Sequence, residues 1–128
     1  MPAPRDPSGG RLGWGWNGVS WGTSSDEFTK RFPQASQQNG DWWVTGLGPE
    51  TFCGVTMDAQ YAFNDNDEFA MVVFYPEIGD RARLPGAVSG ELGAPGSTAT
   101  VWRVGKVEVS VKPGGGTATL RHTVYADR

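Results

Sequence analysis

The chain contains one histidine, His122, and one cysteine, Cys53, and these two residues bound the nucleophilic chemistry open to it. A Ser/His/Asp or Cys/His system needs a base beside its nucleophile, so any such system must use His122. In an extended segment His122 shares a face with Ala118, Leu120 and Val124, where a hydrogen-bonded structural imidazole is the simpler reading. Cys53 precedes Gly54 in an apolar stretch and reads as a small core filler, which leaves a Cys53/His122 dyad on paper only. Two Cys and His residues are too few for a zinc site. The acidic run Asn64 to Glu68 lacks the loop glycine and distant bidentate Glu of an EF-hand and reads as a solvated hairpin tip. The glycines of "GLGPET" sit in no βαβ unit, which removes a dinucleotide reading. Paired carboxylates for glycoside hydrolysis would have to come from Glu50, Asp58, Glu68, Glu77 and Glu91, and their spacing singles out no pair. The expectation is a non-catalytic protein with no metal and no cofactor.

Aromatic residues are the more distinctive resource. Six tryptophans exceed what a small core with six phenylalanines obviously needs. Exposed Trp and Tyr beside Arg anchor protein interfaces, and flat aromatic platforms also stack sugar rings. The stretch from Gly10 to Gly22 carries three tryptophans among five glycines. Trp14 and Trp16, two residues apart, share one side of an extended segment and leave their faces uncovered by the intervening glycine. Ring packing over strand glycines is the structural alternative for the same pair. Trp21 leads into a helix cap and reads as core. Trp43, Trp102, Arg103 and Tyr125 are further candidates from strand ends.

The elements that must position these residues follow from local pattern. Ser24 and Glu27 stand at capping-box spacing, Phe28 and Phe32 lie four apart, and Pro33 stops the helix, which predicts a helix over Ser25 to Phe32. Trp42 and Trp43 open a short strand whose neighbours point to opposite faces, so at most one of them belongs in a given core. Met57, Ala59, Tyr61 and Phe63 alternate with Asp58, Gln60, Ala62 and Asn64, the signature of a half-buried strand. After the "NDND" turn, "EFAMVVFYP" is apolar on both faces, and the two segments form a hairpin. Leu84, Val88 and Leu92 recur at helical spacing, with Pro85 in the first turn and Gly93 at the stop. Three strands follow: "TATVWRV", "KVEVSVK" with Val107, Val109 and Val111 inward, and "TATLRHTVYA". The order βαβββαβββ repeats a helix, a Trp-bearing strand and a hairpin, with Trp42 or Trp43 corresponding to Trp102. It predicts an α+β domain, a curved antiparallel sheet with two short helices on one face and a possible tandem repeat.

Composition sets the outer bounds. A chain of 128 residues suits one domain, here 11–128, preceded by a Pro/Gly-rich flexible linker over 1–10. A net charge of -3 with scattered basic residues gives no general attraction to nucleic acid. No apolar run approaches the roughly 20 residues needed to span a bilayer, and no secretory leader is evident. A trimmed periplasmic or secreted domain and a cytoplasmic protein remain equal alternatives, since a lone cysteine does not report the compartment.

The run "GVSWGTSSDEFTKRFP", followed by "GVTMDAQYAFNDNDEFAMVVFY" and "SGELGAP", resembles small bacterial domains of unknown function in which a WGTS-type strand precedes a short helix. More distantly, the layout is similar to β-lactamase-inhibitor-protein-like domains and small outer-membrane assembly lipoproteins, although no lipidation cysteine stands near the start. That resemblance implies a non-catalytic module that presents a sheet face to another protein. The functional expectation is a protein partner engaged through an aromatic-rich sheet face or edge. The alternative is a small-molecule or carbohydrate site using the same rings.

Overall fold

The computed structural model describes residues 12–95, 100–112, 114 and 116–127; the expected linker over 1–10 lies outside them. Two minimal strands, β1 (Gly15–Trp16) and β2 (Val19–Ser20), form a separate hairpin before helix α1 (Ser25–Arg31). Then come β3 (Ser36–Asn39), β4 (Trp42–Val44), β5 (Glu50–Phe52), β6 (Val55–Phe63) and β7 (Phe69–Pro76). A 3-10 segment (Ile78–Arg83) feeds α2 (Leu84–Leu92), which is followed by β8 (Val101–Val104), β9 (Val107–Val111), β10 (Ala118–His122) and the terminal turn α3 (Thr123–Ala126). The main sheet is antiparallel in the order β3-β4-β6-β7-β10-β9-β8, with β5 pairing the first residues of β6. An α+β fold with helices against a curved antiparallel sheet is therefore present.

Both helices form where local chemistry asks for them. Ser24 Oγ accepts from the Glu27 amide at 3.2 Å, and Asp26 and Glu27 sit in the first turn of α1 with Lys30 and Arg31 in the last. Seven residues cannot hold a helix alone, so α1 depends on Phe28, which is wholly buried against Phe32, Tyr61 and Phe63. α2 buries Leu84, Val88 and Leu92 into the same core. Asp67, at the tip of the β6–β7 hairpin, accepts from the Ser25 amide and ties that tip to the start of α1.

Sheet order is symmetric about the central β7–β10 pair: β6 matches β9 and β4 matches β8. Trp43 of β4 and Trp102 of β8 thus occupy corresponding strands, each facing the helices. Trp102 is fully buried and its Nε1 donates to the Gly93 carbonyl at 2.9 Å, joining β8 to the end of α2. Trp43 is half-buried, edge-on to Phe28 and Phe63.

The element order departs from βαβββαβββ: β3 and β5 bring the strands between α1 and α2 to five rather than three, and both ends differ as well. The first segment is a hairpin rather than a single strand, because Asn17 and Gly18 both adopt positive φ (53° and 78°) and reverse the chain in two residues. A Cβ at Gly15 would overlap the Val19 carbonyl, so that close strand approach demands glycine. The last strand ends at His122 instead of running to Ala126. His122 Nδ1 accepts from the Val124 and Tyr125 amides at 3.2 and 3.4 Å and starts α3.

Truncation of a buried indole should separate core from surface. Trp102→Ala is expected to cost about 3–5 kcal/mol in urea denaturation, whereas Trp14→Ala should remain within about 0.5 kcal/mol of wild type; similar losses would contradict the assignment.

Candidate functional site

Tyr61 is the residue from which the site grows. Its ring lies in the core against Phe28 and Phe69, at 5.0 and 5.6 Å between centroids, and it is fully buried. A buried phenol needs a partner, and its hydroxyl donates to Glu50 Oε1 at 2.6 Å while accepting from Asn17 Nδ2 at 3.1 Å. Trp16 Nε1 donates to the same Glu50 oxygen at 2.7 Å. Trp16 itself stands edge-on to Phe52 and Phe74, which stack on each other with planes 2° apart. The β1–β2 hairpin is thereby fastened to the sheet through one carboxylate at the start of β5.

A cleft of about 660 Å³ opens beside this arrangement, between the hairpin, Arg31 of α1 and Glu50 and Thr51 of β5. Trp14 lies on its wall and is 78% exposed. Arg31 Nε donates to the Asn17 carbonyl at 3.4 Å, and its guanidinium packs where a Gly18 side chain would otherwise stand. Burial pushes the Glu50 carboxyl above its ordinary 4.5, opposed by the hydrogen bonds from Tyr61 and Trp16. Burial also raises the Tyr61 hydroxyl, reinforced by the neighbouring Glu50 charge.

The residues expected to form one aromatic surface are distributed by the fold. Trp14 lies in the turn before β1 rather than on the strand itself, and it lines the same cleft as Trp16, which is half-buried. Trp43 and Trp102 face the core, and Trp102 has no surface to offer. Tyr125 is half-buried beside His122 and against Gly22. Arg103 is exposed on the opposite face of the sheet, paired with Glu108 at 3.2 Å.

That opposite face is the second surface. The strand registers place Trp42, Ala62 and Met71 in one row, Gln60, Val73 and Thr119 in the next, and Asp58 beside Tyr75. Neither α1 nor α2 packs there, since Phe28, Leu84, Val88 and Leu92 all point to the other side. Tyr75 is exposed, and Trp42 and Met71 are half-buried. Of the adjacent tryptophans the outward one is Trp42, not Trp43.

Cys53 and His122 lie apart in the sheet. Met71, opposite Arg121 next to His122, and Pro76, opposite Met57 near the Cys53 turn, are separated by roughly 17 Å of strand β7. Burial and the Glu91 charge push the Cys53 thiol up to about 12, and burial with Lys106 lowers His122, whose Nδ1 already caps α3. Asn17 and Arg31 were not singled out by sequence, Glu50 stood only among five candidate carboxylates and Tyr61 only as an inward strand residue; the Asn17-Gly18 dipeptide after Trp16 was the available hairpin signal. No family model, curated protein or solved structure matches the chain.

Two measurements check these electrostatics. A shift from 9.0 to about 12 makes the thiolate about a thousandfold scarcer, so iodoacetamide at neutral pH should alkylate Cys53 about a thousandfold more slowly in the folded than in the unfolded chain. Because the folded Glu50 pKa is raised, its contribution is fully present below pH 4.5 and is lost as pH rises through the folded value. Wild type should therefore lose stability relative to Glu50→Gln as the pH rises from 4.5 through the raised folded value; a constant difference would contradict the desolvated carboxylate.

Proposed function

We propose that the protein is a non-catalytic binding domain that engages a partner protein through the helix-free face of its sheet. The observation that supports this most directly is the one-sided packing: α1, α2 and the β1–β2 hairpin bury their apolar residues on the inner face, while Trp42, Met71 and Tyr75 stand on the outer one. Arg121 lies next to Met71, paired with Asp127, and Arg103 stands at the far end of the same row on β8, paired with Glu108, so the face combines aromatic, methionine and arginine side chains, the types enriched where proteins meet. Ala62 and Val73 form a small-residue floor between the larger groups, which gives a partner's side chains somewhere to insert. Presentation of a sheet face is also what the sequence resemblance implies.

A non-catalytic role fits the inert placement of the two nucleophile-bearing residues, with Cys53 held as a thiol and His122 used as a cap. Arg103 keeps its place among the expected binding residues, and Trp42 takes that of Trp43.

Affinity capture with the immobilised protein tests this reading. The double variant Met71→Glu/Tyr75→Glu places charge at two solvent-reachable positions and should reduce recovery of a captured partner at least about tenfold, while Trp14→Ala should leave it unchanged. No partner captured from the source cells, or capture indifferent to the double variant, would contradict it.

A further inference from the structure

The cleft beside the β1–β2 hairpin lies on the other side of the sheet from the proposed docking face and carries chemistry of its own. Its volume of about 660 Å³ falls within the range of small-molecule sites. Glu50 Oε1 is occupied by two donors, Tyr61 Oη and Trp16 Nε1. Glu50 Oε2 accepts no hydrogen bond among the described residues. None of their buried side-chain oxygens or nitrogens lacks a partner, so Oε2 is open to the cleft that Glu50 lines. The carboxylate is thus rigidly aimed, with one oxygen spent on the scaffold and one free.

Arg31 supplies the opposite polarity. Its guanidinium forms no ion pair among the described residues and stands against Gly18 and over the Phe32 ring at 5.6 Å. Glu50 and Arg31 line the same cleft without pairing with each other. Trp14 adds an indole that the fold does not bury, although Trp21, seven residues on, is buried and stacked on Phe69.

The geometry points to a binding site for a neutral sugar ring, stacked on Trp14 and hydrogen-bonded between Glu50 and Arg31. A hydroxyl donates to Glu50 Oε2, another hydroxyl oxygen accepts from the Arg31 guanidinium, and the C–H face of the ring lies on the indole. Charge selects against the alternatives: a cation attracted by Glu50 meets Arg31, and an anion attracted by Arg31 meets Glu50. A neutral polyol satisfies both groups without displacing either from the scaffold. Because the cleft is open and shallow, binding is weak, with Kd between about 10 µM and 1 mM.

Titration followed by tryptophan fluorescence and calorimetry tests the site, with maltotetraose, cellotetraose and tetra-N-acetylchitotetraose as neutral ligands and acetate and tetramethylammonium as charged controls. At least one tetrasaccharide should give saturable binding. Trp14→Ala and Glu50→Gln should each weaken it at least about tenfold, and Met71→Glu/Tyr75→Glu should leave it unchanged. Trp14→Ala removes only an exposed ring, and Glu50→Gln keeps an oxygen for Tyr61 and Trp16, so near-ultraviolet dichroism should show both variants folded. No saturable response to any tetrasaccharide at about 10 mM, a stronger response to a charged control, or binding unchanged in either variant would overturn the proposal.

Discussion

A buried phenolic hydroxyl governs the arrangement of half of this molecule. Tyr61 lies near the C-terminal end of the longest strand, its ring enclosed by Phe28, Phe32 and Phe69. Leaving its hydroxyl unpaired would cost on the order of 1–3 kcal/mol. Glu50 satisfies it, and a carboxylate brought that far from water in turn needs donors, which Tyr61 and Trp16 provide. One unavoidable polar atom in the core therefore fixes β5 on β6, draws the hairpin down through Trp16 and Asn17, and leaves a cleft at the seam. The three groups solve one another's desolvation problem, and none of them would be stable there alone.

Beyond that network the fold rests on a division of faces. Antiparallel strands with strict alternation can bury one side and leave the other to solvent, and here both helices, the hairpin and nearly all large apolar side chains gather on the inner side. Trp102 and Trp43 serve corresponding strands about the β7–β10 pair, each meeting the helix of its own half. Function is left to what the core does not consume. That remainder is an outer sheet face with Trp42, Met71 and Tyr75, and a cleft lined by Arg31 and by the Glu50 that satisfies Tyr61.

Much of the scaffold was legible in the sequence because it is encoded locally. The four-residue recurrence of Leu84, Val88 and Leu92, the Ser24 cap and the alternation from Met57 to Phe63 each state a face and a period within a few residues. The site was less legible because it depends on contacts between distant positions: Trp16 meets Glu50 across 34 residues and Asn17 meets Tyr61 across 44. Adjacent aromatics carry the same ambiguity in smaller form. Alternation requires Trp42 and Trp43 to part, but only the register with Tyr61 and Ala62 decides which turns inward. The alternation around His122 suggested a strand running on to Ala126, whereas His122 is its last residue. Its imidazole ends the strand by offering an acceptor to two amides, a competition between side chain and ladder that residue pattern does not display.

The claim at the centre is that the Tyr61–Glu50 hydrogen bond holds core, hairpin and cleft together. A double-mutant cycle of Tyr61→Phe and Glu50→Gln, read by urea denaturation, measures that coupling directly. A coupling of about 1–3 kcal/mol is expected for a buried hydrogen bond to a carboxylate. Additivity within about 0.3 kcal/mol would show the two residues to be independent and would contradict the account.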